Sequence, residues 1–260
     1  PPGKTVKPSS FMSESSRNFA AQRKPGGFGF VVAGPAGAGA VQPARLICMM
    51  ASDARPCYGR GAMNPFFEEL DYRKTRLGEL VLQRRRVLAL DGAEAFEVKL
   101  NGEYLMSSLF YAAEAELARG GLGALSGTGW DVVVGGLGLG YTAAAALGFP
   151  QVARLTVVEA LEPVIDWHRR GLVPNGQKLT DDSRCAYLNA DFFALARGTG
   201  FDPERPGRRW DAVLLDVDHT PSQLLNPAHA DFYAEAGLRR LRAFLKPGGV
   251  FAMWSNDEPD

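Results

Sequence analysis

Acidic and imidazole side chains stand where several apolar runs of this chain end. In "DAVLLDVDHTP" the run closes on Asp216, Asp218 and His219. Two carboxylates and an imidazole this close together can orient a nucleophile such as an amine, or take its proton. Asp216 and Asp218 point the same way if strand geometry persists through them. A second apolar run, "LTVVE", closes on Glu159, and "RCAYLNAD" closes on Asp191. "DVVVGGLGLG" runs from three valines into Gly135, Gly136, Gly138 and Gly140. Glycines there let a turn take positive φ and let a ligand approach the backbone. Glu159 lies 19 residues beyond Gly140, where an acid can accept hydrogen bonds from ribose hydroxyls. Each residue also has a plain structural reading. The glycines make a tight turn, Glu159 is a solvated loop carboxylate, and Asp191 is the N-cap of the next short helix. Asn256 and Asp257, after "GVFAMWS", can line an acceptor pocket or serve as ordinary loop residues. His168, after Trp167, reads as a packing or surface residue, and His229 as a helix-start residue.

Elements that would carry these residues alternate from Trp130 onward. "WDVVVGG", "RLTVVEA", "RCAYLNAD", "WDAVLLDVD" and "GVFAMWSN" read as strands, separated by the helical runs "YTAAAALGF", "LEPVIDWHRRGL", "FFALARG" and "HADFYAEAGLRRLRAFL". Repeated strand–helix units predict an α/β fold: a Rossmann-like doubly wound parallel sheet with helices on both faces. In such sheets ligands bind beyond the carboxyl ends of the strands, where the acids and glycines lie. "KPGG" (246–249) reads as the turn before the fifth strand. The chain stops at Asp260, just after that strand; such sheets usually continue, so a C-terminal truncation is expected. Ahead of the sheet, "ELVLQRR", "RVLAL" and "AFEVKL" alternate and are punctuated by Asp-Gly and Asn-Gly, which predicts a small antiparallel β-unit. The run at 109–125 has helical spacing and should stop at Gly120 and Gly121. The expected domains are a disordered or loosely attached extension (1–62), a β-hairpin unit (63–108) and the Rossmann-like domain (109–260). Met49, Met50 or Met63 can be the start of the folded protein. "GKT" at 3–5 lacks the earlier glycine and the strand of a phosphate-binding loop.

Bulk properties narrow the partners. The 260 residues hold 29 basic and 29 acidic side chains, so net charge gives no call for nucleic acid or an anionic membrane. The charge is uneven: residues 1–62 carry 8 Lys/Arg against 2 Asp/Glu, the remainder 21 against 27, leaving +6 and −6. Cys48, Cys57 and Cys185 are too few and scattered for a disulfide framework or a cysteine-rich zinc site. A cytoplasmic setting without a metal is the expectation. The most apolar stretch, "FGFVVAGPAGAGAV" (28–41), is short, broken by Pro35, and lacks a clear signal-peptide cleavage site.

The glycine loop leaves two donors open. Counted from Gly138, the dinucleotide pattern G-x-G-x-x-G/A ends acceptably at Ala143; counted from Gly136 it fails at Tyr141. The G-x-G-x-G run of Gly136, Gly138 and Gly140 resembles class I S-adenosylmethionine-dependent transferases. From Phe66 to Asp260, "LDYRKTRLGELVL", "VLALDG", "VVVGGLGLG", "VVEAL", "NADFF", "DAVLLDVDHTP" and "LKPGGVFAMWSND" together resemble the spermidine synthase-like branch of that superfamily. The resemblance implies that the glycines pass the donor's amino-acid tail and that Asp191 takes the adenine amino group, with Phe192 packing on the ring. It implies that Asp216 is the catalytic aspartate that positions or deprotonates the nucleophile, assisted by Asp218 and His219, and that chains pair into a homodimer. The departures are specific. Where aminopropyltransferases carry G-G-G-D-G-G, Gly138 fills the acid's slot. Their Tyr-His-Glu is replaced within "MSSLF" (106–110), and their D-S-S-D-P loop is here "DVDHTP". A carboxylate in the first loop would repel a donor that retains its own carboxylate; glycine removes that repulsion. Both S-adenosylmethionine and its decarboxylated form therefore stand as donors, for methyl or aminopropyl transfer to a small-molecule acceptor. The competing readings are a non-catalytic binding or dimer-forming relative and a nicotinamide-dependent oxidoreductase.

Overall fold

The computed structural model describes residues 66–217, 224 and 227–255, together with the backbone of three short strands, β1 (Gln22–Lys24), β2 (Phe28–Phe30) and β3 (Val32–Ala33). Strands β4 (Phe67–Thr75), β5 (Gly78–Val87), β6 (Ala93–Leu100) and β7 (Glu103–Ser107) form an antiparallel meander in that order. The Leu100↔Glu103 pair closes a two-residue turn on Asn101–Gly102, as the Asn-Gly signal predicts. The other connection differs from expectation. "RVLAL" is not one strand: β5 ends at Val87 and Leu88–Leu90 form a 3-10 turn. All three leucine and alanine side chains of that turn are solvent-exposed, so no burial holds them extended.

The second layer is a parallel sheet of β8 (Trp130–Gly135), β9 (Val152–Glu159), β10 (Cys185–Asn189), β11 (Trp210–Leu215) and β12 (Leu245–Trp254), in the order β10-β9-β8-β11-β12-β3. The order reverses between β8 and β11, which makes their carboxyl ends the switch point where such sheets bind ligands. The strands are apolar on both faces because both are covered. Val132, Val134 and Leu214 pack with α1 (Ala112–Gly123), α2 (Tyr141–Leu147) and α3 (Glu162–Arg169); Val133, Val213 and Leu215 pack with α5 (Phe192–Arg197), α6 (Ala230–Tyr233) and α7 (Glu235–Ala243). A short helix, α4 (Gly176–Asp181), is additional to the sequence reading; six residues are too few to show a helical period. Helix α1 runs through the glycines expected to stop it. A Cβ on Gly121 would lie 2.7 Å from Leu214 Cδ2, so glycine lets the helix settle against the sheet. "KPGG" is not a turn ahead of β12. The register jumps from Trp210↔Leu245 to Ala212↔Val250, so 246–249 bulge out within the strand.

The meander joins the sheet through one continuous core: Leu80, Leu82 and Val98 pack with Leu117 and Leu122 of α1. Trp167 of α3, fully buried, donates its indole N–H to Asp71 Oδ2 at 2.7 Å, and Arg73 Nη2 lies 3.2 Å from Asp166 Oδ2. β3 lies parallel to β12 at the sheet edge through Met253↔Val32 and Trp254↔Ala33. Apart from β1, β2 and β3, residues 1–65 lie outside the described residues. Among the described residues, no helix is long and apolar enough to cross a membrane.

Candidate functional site

Strand β8 delivers Gly135 into the loop 136–140, and α2 starts at Tyr141. Asp216, one residue past β11, donates its backbone N–H to Gly135 O at 2.7 Å. Gly136 has φ +98, and a Cβ there would sit 1.9 Å from the Asp216 carbonyl oxygen. Only glycine lets the two strand ends meet this closely. On the open side of the loop, Met106 Sδ lies 3.0 Å from where a Gly138 Cβ would be, which brings β7 of the meander over it.

Three side chains pin the loop through its backbone. Glu159 accepts from Leu137 N–H through Oε2 (2.9 Å) and from Leu161 N–H through Oε1 (2.8 Å). It is 9% exposed, so it is not a solvated loop carboxylate. Burial pushes its carboxyl above the ordinary value, against the backbone amides of Leu161, Leu137, Ala160 and Gly138 that favour the charge. Asn175 Nδ2 donates to Leu139 O at 3.0 Å. His168 Nε2 meets Gly138 O at 2.9 Å. Burial lowers the imidazole to about 4, opposed by the Gly138 carbonyl, so it is neutral near pH 7 with its proton assigned to Nε2. His168 is thus a packing residue that also holds the loop in place. Neither His168 nor Asn175 carries a sequence signal for this, because the contacts span 30 and 36 residues.

Asp216 is half-buried, and its Oδ2 accepts from the Thr142 hydroxyl at 2.5 Å. Thr142, on the first turn of α2, escaped the sequence reading; it sits 74 residues from its partner. Asp191 is the N-cap of α5: its Oδ1 accepts from Phe193 N–H (2.8 Å) and Ala194 N–H (3.1 Å). Phe192 is 4% exposed, fills the space a Gly135 side chain would need, and stacks on Phe201 at 4.9 Å. Its ring packs into the core beneath the loop, and the residue also lines the cleft that joins these groups. Phe193 instead stacks on His229 at 3.9 Å, and His229 does stand at a helix start, before α6.

A single cleft of about 1180 Å³ joins these groups. Gly136, Gly138, Gly140, Glu159, Asp191 and Asp216 line its sheet side. Arg85, Glu97, Tyr104 and Met106 line the side built by the meander. Asp218, His219, Asn256 and Asp257 lie outside the described residues. Among the described residues, no group of three His, Cys, Asp or Glu is placed to hold a metal ion.

No family model matches the chain. Among solved structures, a spermidine synthase from Thermotoga maritima superimposes with a TM-score of 0.53 at 18% identity, covering 71% of this chain and 56% of its own. A spermidine synthase in complex with the transition-state analogue AdoDATO gives 0.54 and 18%, covering 71% and 57%. The chain spans just over half the length of these structures. With its four-stranded meander set over the switch point of a doubly wound sheet, this chain has a fold like that of the two spermidine synthase structures.

Proposed function

We propose that the chain is a transferase that moves an alkyl group from an S-adenosylmethionine-type sulfonium to a small nucleophilic acceptor. The observation that carries this is the convergence of the glycine loop, Glu159, Asp191 and Asp216 on one cleft at the switch point. In this reading the glycines pass the donor's tail. Glu159 turns its remaining lone pairs to the ribose, since each carboxylate oxygen accepts more than the one bond already made. Asp191 caps α5 through Oδ1 and turns Oδ2 to the adenine amino group. Asp216 orients the acceptor, with Asp218 and His219 assisting and Asn256 or Asp257 at the acceptor pocket. The acceptor's lone pair attacks the carbon on sulfur, the S–C bond breaks, sulfur keeps the electron pair as a thioether, and the acceptor's proton passes to Asp216. The sulfonium is already a good leaving group, so alignment supplies most of the acceleration.

Methyl transfer from intact S-adenosylmethionine is the preferred form, because Gly138 brings no carboxylate to the donor's tail. Aminopropyl transfer is the second form; the likeness to the spermidine synthase in complex with AdoDATO favours it. A cytoplasmic enzyme that pairs into a homodimer completes the proposal. Asp216→Asn tests it. Turnover should fall by about 10²- to 10⁴-fold, while donor binding measured by calorimetry stays within a few-fold. Unchanged turnover sinks the role of Asp216. A wild-type chain that binds donor and turns over no acceptor would be the non-catalytic relative instead.

A further inference from the structure

One charged pair in the cleft has no part in the transfer chemistry proposed so far. Glu97, on β6, is 2% exposed in its side chain, which is unusual for a carboxylate. Its Oε2 accepts from Gln83 Nε2 and its Oε1 from Arg85 Nε, both at 2.6 Å. Arg85 uses only Nε for this bond; its terminal amino groups make no other hydrogen bond among the described residues. Its side chain is 36% exposed, and both residues line the cleft.

The pair and the glycine loop line one cleft, into which β7 brings Met106 and Ser107. Glu97 pairs with Ser107 across β6 and β7. On either side of Ser107, Met106 overlies Gly138, and Ser108 hydrogen-bonds the Tyr141 side chain at the start of α2. Arg85, Glu97 and Gly138 line the same cleft, so the cation and the carboxylate share it with the stretch of loop that would carry the donor's tail.

We propose that Arg85 and Glu97 form a receptor for a free amino-acid group, the zwitterionic end of an intact S-adenosylmethionine. The inference rests on the donor-site reading and adds its specificity. The terminal fork of Arg85 matches a carboxylate with two parallel N–H···O bonds. The remaining lone pairs of Glu97 accept from the ammonium. A donor that has lost its carboxylate would meet the guanidinium with an ammonium alone, and two cations would face each other. Selection of the intact donor thus comes from the meander as well as from the missing acid at Gly138.

Calorimetric titration of the full chain tests this with three probes: S-adenosylmethionine, its decarboxylated form, and 5′-methylthioadenosine, which keeps the adenosine and the sulfur but has no amino-acid end. The wild type should bind S-adenosylmethionine tighter than the decarboxylated form. Arg85→Gln should weaken S-adenosylmethionine by about tenfold or more, the worth of a lost charge-assisted contact, and leave 5′-methylthioadenosine within twofold. Removing Arg85 leaves the Glu97 carboxylate buried with one partner fewer. The double variant Arg85→Gln/Glu97→Gln keeps the site neutral and should lose the same preference if the single variant fails to fold. Equal weakening of S-adenosylmethionine and 5′-methylthioadenosine, or no weakening, overturns the receptor and makes the pair a staple within the meander. Tighter wild-type binding of the decarboxylated donor also overturns it while leaving the donor site standing. Failure of the wild type to bind any of the three removes the donor-site reading itself.

Discussion

The two walls of the cleft are held by different kinds of contact. On the sheet side, Glu159, His168 and Asn175 reach into the loop and bond its backbone, and all of these bonds are buried or half-buried. On the meander side, side chains bond side chains: Arg73 to Asp166, Arg85 to Glu97, Asp71 to Trp167. Backbone pins fix the path of the chain and leave little freedom for substitution, because a buried amide or carbonyl left without a partner is costly. Contacts between side chains can be exchanged without moving the backbone, and the partly exposed Arg73–Asp166 pair contributes least. Under the proposed function, the sheet side is the fixed cradle for what every donor of this type shares. The meander is where selectivity can vary.

Four substitutions sharpen or break this contrast. Gly136→Ala should be the most damaging: it drives a Cβ to within 1.9 Å of the Asp216 carbonyl at φ +98. We expect a loss of about 4 kcal/mol or more in urea unfolding; a loss below about 1 kcal/mol would mean that the strand ends separate freely. His168 comes next, through pH. Its folded value of about 4 lies below the ordinary 6.5, so between those pH values the unfolded chain binds a proton that the folded chain refuses. That contribution is intact above pH 6.5 and is lost as pH falls, reaching roughly 3 kcal/mol near pH 4. Unfolding midpoints at pH 7 and 4.5 should show this slope in the wild type and its loss in His168→Gln; equal slopes would take His168 out of the cradle.

Thr142→Val should lower kcat by about tenfold to a hundredfold, the range for one hydrogen bond to a charged group. The donor KM should hold, and Thr142→Ser should restore the rate. A fall in kcat that serine does not rescue would make Thr142 a core residue only. The smallest effect belongs to the meander. Arg73→Ala removes partly exposed pairs with Asp71 and Asp166 and should barely shift the urea midpoint. A larger shift would show that the meander depends on its ion pairs more than on Leu80, Leu82 and Val98.

Much of the sheet side is legible in the sequence. The three valines, the glycine cluster and the acids closing each apolar run are local signals, since an apolar run ending in a polar residue marks a strand leaving the core. Asp191 is legible as an N-cap for the same reason, because the bonds it makes reach only two and three residues ahead. The meander is legible as hairpins but not as a wall of the cleft. Phe192 and Phe193 show the limit of adjacency. Their types are identical, yet one ring packs on Phe201 beneath the loop and its neighbour stacks on His229.

The sequence alone determined the five parallel strands from Trp130 onward, the change from antiparallel to parallel pairing there, and which polar residues would stand at strand ends. These follow from periodicity and turn chemistry, which act over a few residues. Tertiary structure alone decided that Thr142 bonds Asp216, that His168 holds Gly138, and that Arg85 and Glu97 line the same cleft as the glycine loop. Those contacts depend on the strand order β10-β9-β8-β11-β12 and on how closely a Cβ-free backbone lets the strand ends approach, and no local pattern carries that information.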